Sequence, residues 1–335
     1  MRTNEKVERW QELYDQAKKG KLNLLEYLSR SEGSALFSTA LSDLLVREAS
    51  PELPDAWTQI YSMINISRRD LNFPSIRGVN PDLVPELGEF KSVSPAFTSI
   101  TVTPQKFGMR IPFSREMAED NEVDLLAWRT SEAGRAHREL QRREAMKALA
   151  VFSTGPSVPT SVVGIRNHGI NYPTVGYTNF LSATADSWEV RIARAMNSLM
   201  TQTITVADMT IQFPVTPNFI VAHPTHQQAI QKVLNASITV VGTGVGNASV
   251  NNGVNVAGTN IFRGVIPIQI FDPTLTTNQA FIGAAKRGLV FVRRTEPEIE
   301  LFEDKLIDVD DMKTRERFLP AVVEERFICD LQITG

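Results

Sequence analysis

The sequence predicts an α+β chain, and three observations carry that prediction. Residues 107 to 128, FGMRIPFSREMAEDNEVDLLAW, alternate apolar and polar as far as Phe113, then change period at Ser114. A half-buried strand therefore runs into a helix. Between 188 and 282, short apolar strands alternate with amphipathic helical patterns, and from Gly288 onward the chain turns to β.

Before the ribbon, Val7, Trp10, Tyr14 and Ala17 keep helical spacing up to Gly20. Leu22 to Ser29 reads as a second short helix. Leu36, Ala40, Leu41, Leu44 and Leu45 mark a third, stopped at Ser50-Pro51, and Trp57, Ile60, Tyr61 and Ile64 continue the spacing. Helices with such narrow apolar stripes must dock on a larger body. Residues 66 to 96 carry four prolines and no clear period. Extended pieces at Asp70 to Ile76 and Glu86 to Val93 suggest a long two-stranded arm, marginal in water by itself. Ile100 and Val102 alternate with Thr101 and Thr103, and after a turn at Pro104 the strand 107–113 is expected to return against them. Pro112 has no N–H to donate, which places it on a sheet edge or at a strand end.

Ser114 is a candidate helix cap, with Asp120 or Asn121 as a second. From Glu122 to Val151 no proline occurs and only Gly134 interrupts good helix formers. The segment 129–147 holds six basic and three acidic residues. Leu126, Ala133, Ala136 and Leu140 form a thin apolar stripe, which suits a rod lying across one face of a flat sheet. His137 lies on this basic rod and is expected to be solvated. Further on, the sequence predicts a helix over 188–200, a strand at 219–222, a helix from His223-Pro224 to Leu234, and strands at 266–271 and 281–282. Residues 296–325 hold eleven acidic and four basic residues, with Glu298 and Glu300 alternating with Ile299 and Leu301.

The bulk numbers exclude several classes. The chain has 335 residues, which suits about two domains. Its net charge of −3 gives no basic footprint for sequence-specific DNA binding. Cys329 is the single cysteine, so no intramolecular disulfide forms. The charged N-terminus does not read as a signal peptide, and no apolar run reaches a membrane span. Motifs for chemistry are also missing. VVGTGVG at 240–246 lacks the third glycine and the following helix of a dinucleotide loop. His223 and His226 lack the glutamate of a zinc motif and read as cap and surface histidines. His168 falls in a loop. Asp308, Asp310 and Asp311 lack the glycine and closing glutamate of a calcium loop. No catalytic, cofactor or metal residue is predicted, and no enzyme activity is expected.

The order of parts is informative where single motifs are not. IPFSREMAED joins strand to rod helix; GPSVPTSVVGI forms a loop; PNFIVAHPTHQQAI gives strand then helix; GVIPIQIFDPTL and FIGAAKRGLVFVRR precede an acidic β end. This set resembles the major capsid proteins of tailed double-stranded-DNA bacteriophages, the Hong-Kong-97-type fold. The resemblance implies an N-terminal helical arm over 1–66 and an extended loop with β-ribbon over 67–113. It implies a peripheral domain over 114–177 with its spine helix at 122–151, an axial domain over 178–287, and return strands over 288–335. It implies a structural protein that self-assembles, through pentamers and hexamers, into an icosahedral head enclosing double-stranded DNA without sequence-specific binding. The shell would be built in the host cytoplasm, without a membrane, and would become part of the virion. A portal, with or without decoration proteins, would be a partner, and the short N-terminus points to a separate scaffold or to none. Lys91 is the loop lysine that a cross-linking member would use, but no asparagine follows Asn278, so no covalent cross-links are expected. Arg68, Arg69 and Arg77 in the arm are expected to reach carboxylates of a neighbouring subunit such as Glu116, Glu119 or Asp120. The alternatives are an encapsulin-like nanocompartment shell and, further off, an α/β nucleotide-binding enzyme.

Overall fold

A computed structural model of the chain describes residues 41–42, 44–49, 55–76, 97–114, 123–150, 180–184, 187–206, 209–235, 238–240, 257–259, 262–304 and 309–333. The expected helices at 4–19 and 22–29, the piece 86–93 and the loop 155–169 lie outside these residues.

The strands in chain order are β1 (Ser62–Asn65), β2 (Leu71–Ile76), β3 (Phe97–Val102), β4 (Gln105–Ser114) and β5 (Phe180–Thr184). Next come the hairpin β6 (Thr203–Val206) with β7 (Met209–Gln212), β8 (Phe219–Ala222), and the pair β9 (Ile238–Val240) with β10 (Ala257–Thr259). The last are β11 (Ile268–Phe271), β12 (Gln279–Gly283), β13 (Leu289–Asp304), β14 (Val309–Val322) and β15 (Ile328–Ile333). The helices include α1 (Val123–Ala150), α2 (Trp188–Thr201) and α3 (Gln227–Asn235), and residues 44–49 are helical as well. A four-stranded sheet runs β1-β13-β14-β4, and a five-stranded sheet runs β11-β8-β12-β15-β5. The return strands thus divide: β13 and β14 build the first sheet, and β15 joins the second.

Two local readings are corrected. Trp57, Ile60 and Tyr61 face the main core from a short 3₁₀ turn, Ala56–Gln59, and its end, but the chain then extends. Residues 62–65 form β1, parallel to 290–293. The i, i+4 spacing of Ile60 and Ile64 is accidental, because Ile64 packs on the other face of the sheet. Strand 107–113 does not return against 100–102. β3 pairs with β2, and β4 pairs along its whole length with β14, Gln105 opposite Phe318 and Ser114 opposite Val309. Only two residues separate β3 from β4, and the chain uses them to change sheets. β4 is the edge of its sheet, where Pro112 is tolerated.

The four-stranded sheet is covered on both faces. On one face an aromatic ladder crosses the strands. Phe107 stacks on Phe318 at 4.7 Å, Phe318 on Phe291 at 5.0 Å, and Phe291 meets Trp57 at 5.0 Å. Ala145, Met146 and Leu149 of α1 close over it, together with Phe219, Val221 and Phe281 from the second sheet. Buried Tyr61 donates its hydroxyl to the Ala145 carbonyl at 2.7 Å. On the opposite face Val290, Val292, Leu319 and Ala321 pack beneath Val102, Leu71 and Phe73 of the β2–β3 ribbon. The base of the arm therefore has a core of its own. The far face of the second sheet carries α2 and α3 through Ile192, Leu199, Ile230 and Leu234.

Helix α1 has 28 residues, about 42 Å. Pairs three residues apart support it on its outer side: Glu132 with Arg135 at 2.8 Å, Glu144 with Lys147 at 2.7 Å, and Glu139 with Arg142. Its seat on the sheet is polar. Buried Thr130, His137 and Gln141 lie along the inner side, while Ala136 is exposed. His137, expected in solvent, is fully buried. Its Nδ1 lies 2.6 Å from Glu316 Oε1 and its Nε2 2.8 Å from Thr314 Oγ1. Gln141 Nε2 donates to Glu316 Oε2 at 2.8 Å, and Arg293 donates to Gln141 Oε1 at 3.2 Å. Glu316 is itself buried on β14. The network ties α1 to β13 and β14. At Gly134 the helix meets residues 44–49 so closely that a Cβ would lie 2.6 Å from Glu48 Cβ and 2.9 Å from the Leu45 carbonyl. A side-chain-free position is what this crossing requires, at about 1 kcal/mol of helix propensity.

Asp330 on β15 is buried, and neither carboxyl oxygen has a hydrogen-bond partner among the described residues. Burial pushes its carboxyl from 3.8 up to about 8. Between those pH values the folded chain keeps a proton that the unfolded chain releases. The stability this site contributes is therefore full below about pH 4 and is lost as pH rises toward 8. Asp330→Asn is expected to flatten this dependence, so that thermal unfolding at pH 5 and pH 8 differs less in the variant than in the parent chain. An unchanged difference would refute the buried neutral carboxyl. Glu316→Ala leaves the His137 and Gln141 donors buried without an acceptor. It is expected to cost about 2–4 kcal/mol in urea unfolding of the subunit, with Glu316→Gln losing less. A loss below about 0.5 kcal/mol would show that the network does not hold the helix.

Candidate assembly site: the spine helix, the arm base and their charges

Among the described residues no group of three or more histidines, cysteines or carboxylates could hold a metal. No described helix is long and apolar enough to cross a membrane. His223 caps the 3₁₀ turn Pro224–His226, accepting from Thr225 N at 3.3 Å, and His226 Nε2 is 2.7 Å from the Thr277 carbonyl. His223 is thus the cap that its place before Pro224 suggests. Cys329 is buried, and its thiol is pushed up by burial and then by the neighbouring Asp330 charge. The two residues alternate on β15 and face opposite sides of the sheet, so they make no catalytic pair.

The charged anchors of α1 reach three separate parts of the chain. Arg138 holds Asp55 in front of the 3₁₀ turn through Nε, at 2.9 and 2.8 Å, and through its terminal nitrogen. That hydrogen bond raises the arginine above its ordinary value against a smaller opposing effect of burial. Arg142 binds both Glu139 on its own helix and Asp272 at the end of β11. The Asp272 side chain is 4% exposed and also accepts from Thr274 N at 2.8 Å. The hydrogen bond to Glu139, before that to Asp272, raises Arg142 despite partial burial. Arg142 in turn is the main cause that lowers Glu139. Arg135 lies 3.7 Å from Glu48. One helix therefore connects the N-terminal segment, the first sheet and the second sheet. The sequence showed these arginines but not their partners, which lie up to 130 residues away.

At the base of the arm, Thr101 Oγ1 donates to Asn72 at 2.7 Å and Thr103 Oγ1 to Asp70 at 2.6 Å, pinning the ribbon across its strands. Arg68 and Arg69 stand just before it, exposed, and make no ion pair among the described residues. Arg77, Lys91, Glu116, Glu119 and Asp120 lie outside the described residues. Trp128 is 60% exposed near the start of α1. Gln141, Thr314, Glu316 and Arg293 were not singled out by sequence, and His137 was placed in solvent. The signal existed in the inward alternation Met312, Thr314, Glu316, Phe318 of β14.

No curated protein matches the chain in sequence. Solved structures share its fold. A virus-like particle from Pyrococcus furiosus aligns with a TM-score of 0.50 at 11% identity, over 88% of this chain and 99% of that one. The capsid of a native GTA particle gives 0.53 at 12% identity, over 84% and 92%. The capsid of an empty GTA particle gives 0.54 at 12%, over 84% and 91%. A family model described as phage capsid protein matches residues 98–331, from the outer strand of the arm base through the spine helix and both sheets to β15. The chain belongs to the phage capsid protein family.

Proposed function

We propose that this chain is the major capsid protein of a tailed double-stranded-DNA phage, a structural protein whose copies build the icosahedral head. The observation that carries this reading is the family match over 98–331. It spans the elements that a shell subunit needs: an arm base leaving a covered sheet, and a rigid rod joining two sheets. Pentamers and hexamers close such a shell through many weak repeated contacts. DNA lies inside without sequence-specific contacts, consistent with the net charge of −3. Assembly takes place in the host cytoplasm, with a separate scaffold, a portal and decoration proteins as partners. The chain performs no catalysis and forms no covalent cross-links.

Electron microscopy of the expressed chain, sized at several concentrations, tests the reading. Rings of five or six subunits or closed polyhedral shells are expected, and DNA-filled particles when the phage's other head genes are present. A monomer at high concentration, unchanged by co-expression with those genes, would sink it. Shells that fill with a protein cargo instead would favour the nanocompartment reading.

The exposed Arg68 and Arg69 are proposed to reach the carboxylates of Glu116, Glu119 or Asp120 on a neighbouring subunit. Exposed pairs contribute only about 0–1 kcal/mol each, so repetition around the shell supplies the effect. Arg68→Glu with Arg69→Glu is expected to reduce shell yield severalfold while the subunit unfolds at an unchanged temperature. Normal yield in the double variant would reject the contact.

A further inference from the structure

The hydroxyl of Thr314 on β14 has one proton and two groups that can take it. Its Oγ1 lies 2.8 Å from His137 Nε2 on α1 and 3.4 Å from the Met109 carbonyl oxygen on β4. It also accepts from the Met109 N–H at 3.3 Å. Thr314 and Met109 stand directly opposite each other in the sheet. This oxygen therefore lies between the spine helix and the edge strand that follows the arm base. β4 sits flush on β14 here, since a Cβ at Gly108 would collide with the Thr314 carbonyl oxygen.

The other ring nitrogen is committed. His137 Nδ1 lies 2.6 Å from Glu316 Oε1, and Gln141 donates to Glu316 Oε2. A carboxylate accepts and does not donate, so Nδ1 carries a proton in either charge state of the ring. A second proton enters at Nε2, the nitrogen that faces Thr314. In the neutral ring Nε2 accepts, and the hydroxyl turns its proton toward the helix. The Met109 carbonyl then receives nothing from Thr314. In the charged ring Nε2 donates, and the hydroxyl proton is released to the Met109 carbonyl. Oγ1 then accepts twice and donates once, which is its full capacity.

The charged groups around the ring, among the described residues, come from each element packed on it. β14 presents Glu316, and β13 presents Arg293, which reaches Gln141 at 3.2 Å. β4 presents Phe107, Met109 and Ile111 on this face and turns Lys106 and Arg110 to the other. Asp55 is held by Arg138, Glu48 lies 3.7 Å from Arg135, and Arg142 turns to Glu139 and Asp272. Glu316 is thus the anion that compensates a charged ring in a fully buried place. Histidine is also the side chain whose ordinary titration falls between pH 5 and 8.

We propose that His137 and Thr314 form a proton-operated latch between α1 and β4, closed on both backbone groups of Met109 when the ring is charged and half-released when it is neutral. One proton binds at Nε2 and one hydroxyl rotates; only hydrogen bonds change. β4 is an edge strand with a single ladder partner, so one side-chain bond matters more there than inside the sheet. The latch acts where the arm base joins the rod. It is a property of the subunit and does not depend on the shell function.

Hydrogen exchange of the full chain, read by mass spectrometry as protection factors, tests the latch. Taking the protection of β4 relative to that of β8 removes changes in global stability, including those from Asp330. Sizing at both pH values keeps the comparison to one assembly state. The relative protection is expected to be about fivefold higher at pH 5.5 than at pH 8, the net worth of one hydrogen bond. Thr314→Val keeps the shape without the hydroxyl, and His137→Gln does not titrate. Each is expected to abolish the difference, whereas Thr314→Ser keeps it. Thermal unfolding checks that the variants fold. Should the valine and glutamine variants both fail to fold, nitrogen NMR of histidine-labelled parent decides: one ring is expected to keep its Nδ1 proton while Nε2 gains one across this range. A fully buried ring that never titrates overturns the inference. So does a parent whose relative protection is constant or rises with pH, or a difference that survives in Thr314→Val or His137→Gln. Loss of the difference in Thr314→Ser assigns it to packing and overturns the latch as well.

Discussion

Glu316 is the residue on which the first sheet and the spine helix both depend. It is a buried carboxyl on β14 that receives hydrogen bonds from two side chains of α1, His137 and Gln141. An apolar seam would hold a helix on a sheet with comparable strength but little preference for register. Fixed donors and acceptors define the position of each residue, because any slip leaves buried polar groups unpaired. A half-buried arginine contact continues the same logic, with Arg293 of β13 reaching Gln141. The helix is therefore located along its length by Glu316, at its crossing with 44–49 by Gly134, and against the second sheet by Arg142 and Asp272.

That rigidity has a consequence for a shell. A subunit that must meet several neighbours needs its contact surfaces fixed relative to one another. Here the arm base packs on the first sheet and the α2–α3 layer on the second. They share α1 and the aromatic ladder Phe107, Phe318, Phe291 and Trp57 as a common frame. The apolar layers supply most of the stability, and the polar seat supplies uniqueness.

Legibility in the sequence followed the range of the interaction. Helix α1 was legible to within one residue at each end, because its composition and the absence of proline are local facts. So were the strand 219–222 and the helix beginning at 188. The partner of β4 was not legible, since Ile111 meets Met312 across 201 residues of chain. Nor was β1, four residues whose alternation is too short to outweigh a helical spacing. His137 was misjudged for a related reason. The basic residues around it mark the outer face, but the inner face is defined by what it touches, and Thr130, His137 and Gln141 read as polar surface until Glu316 is placed beneath them. Arg68 and Arg69, proposed above to reach a neighbouring subunit, were legible in the sequence as cations of the arm, and the structure leaves both exposed.

The sequence by itself determined the elements that depend on neighbours along the chain: the long rod, the amphipathic helices, the short core strands, the confinement of Pro112 to a sheet edge or a strand end, and the order of parts that resembles a capsid subunit. The tertiary structure alone decided which strands share a sheet, which side of the rod is inside, and which charges face each other. The physical reason is that periodicity and propensity act over a few residues, whereas burial and electrostatic pairing act between atoms brought together from distant parts of the chain. A polar residue such as Glu316 is surface or core according to its partners, and only the fold supplies them.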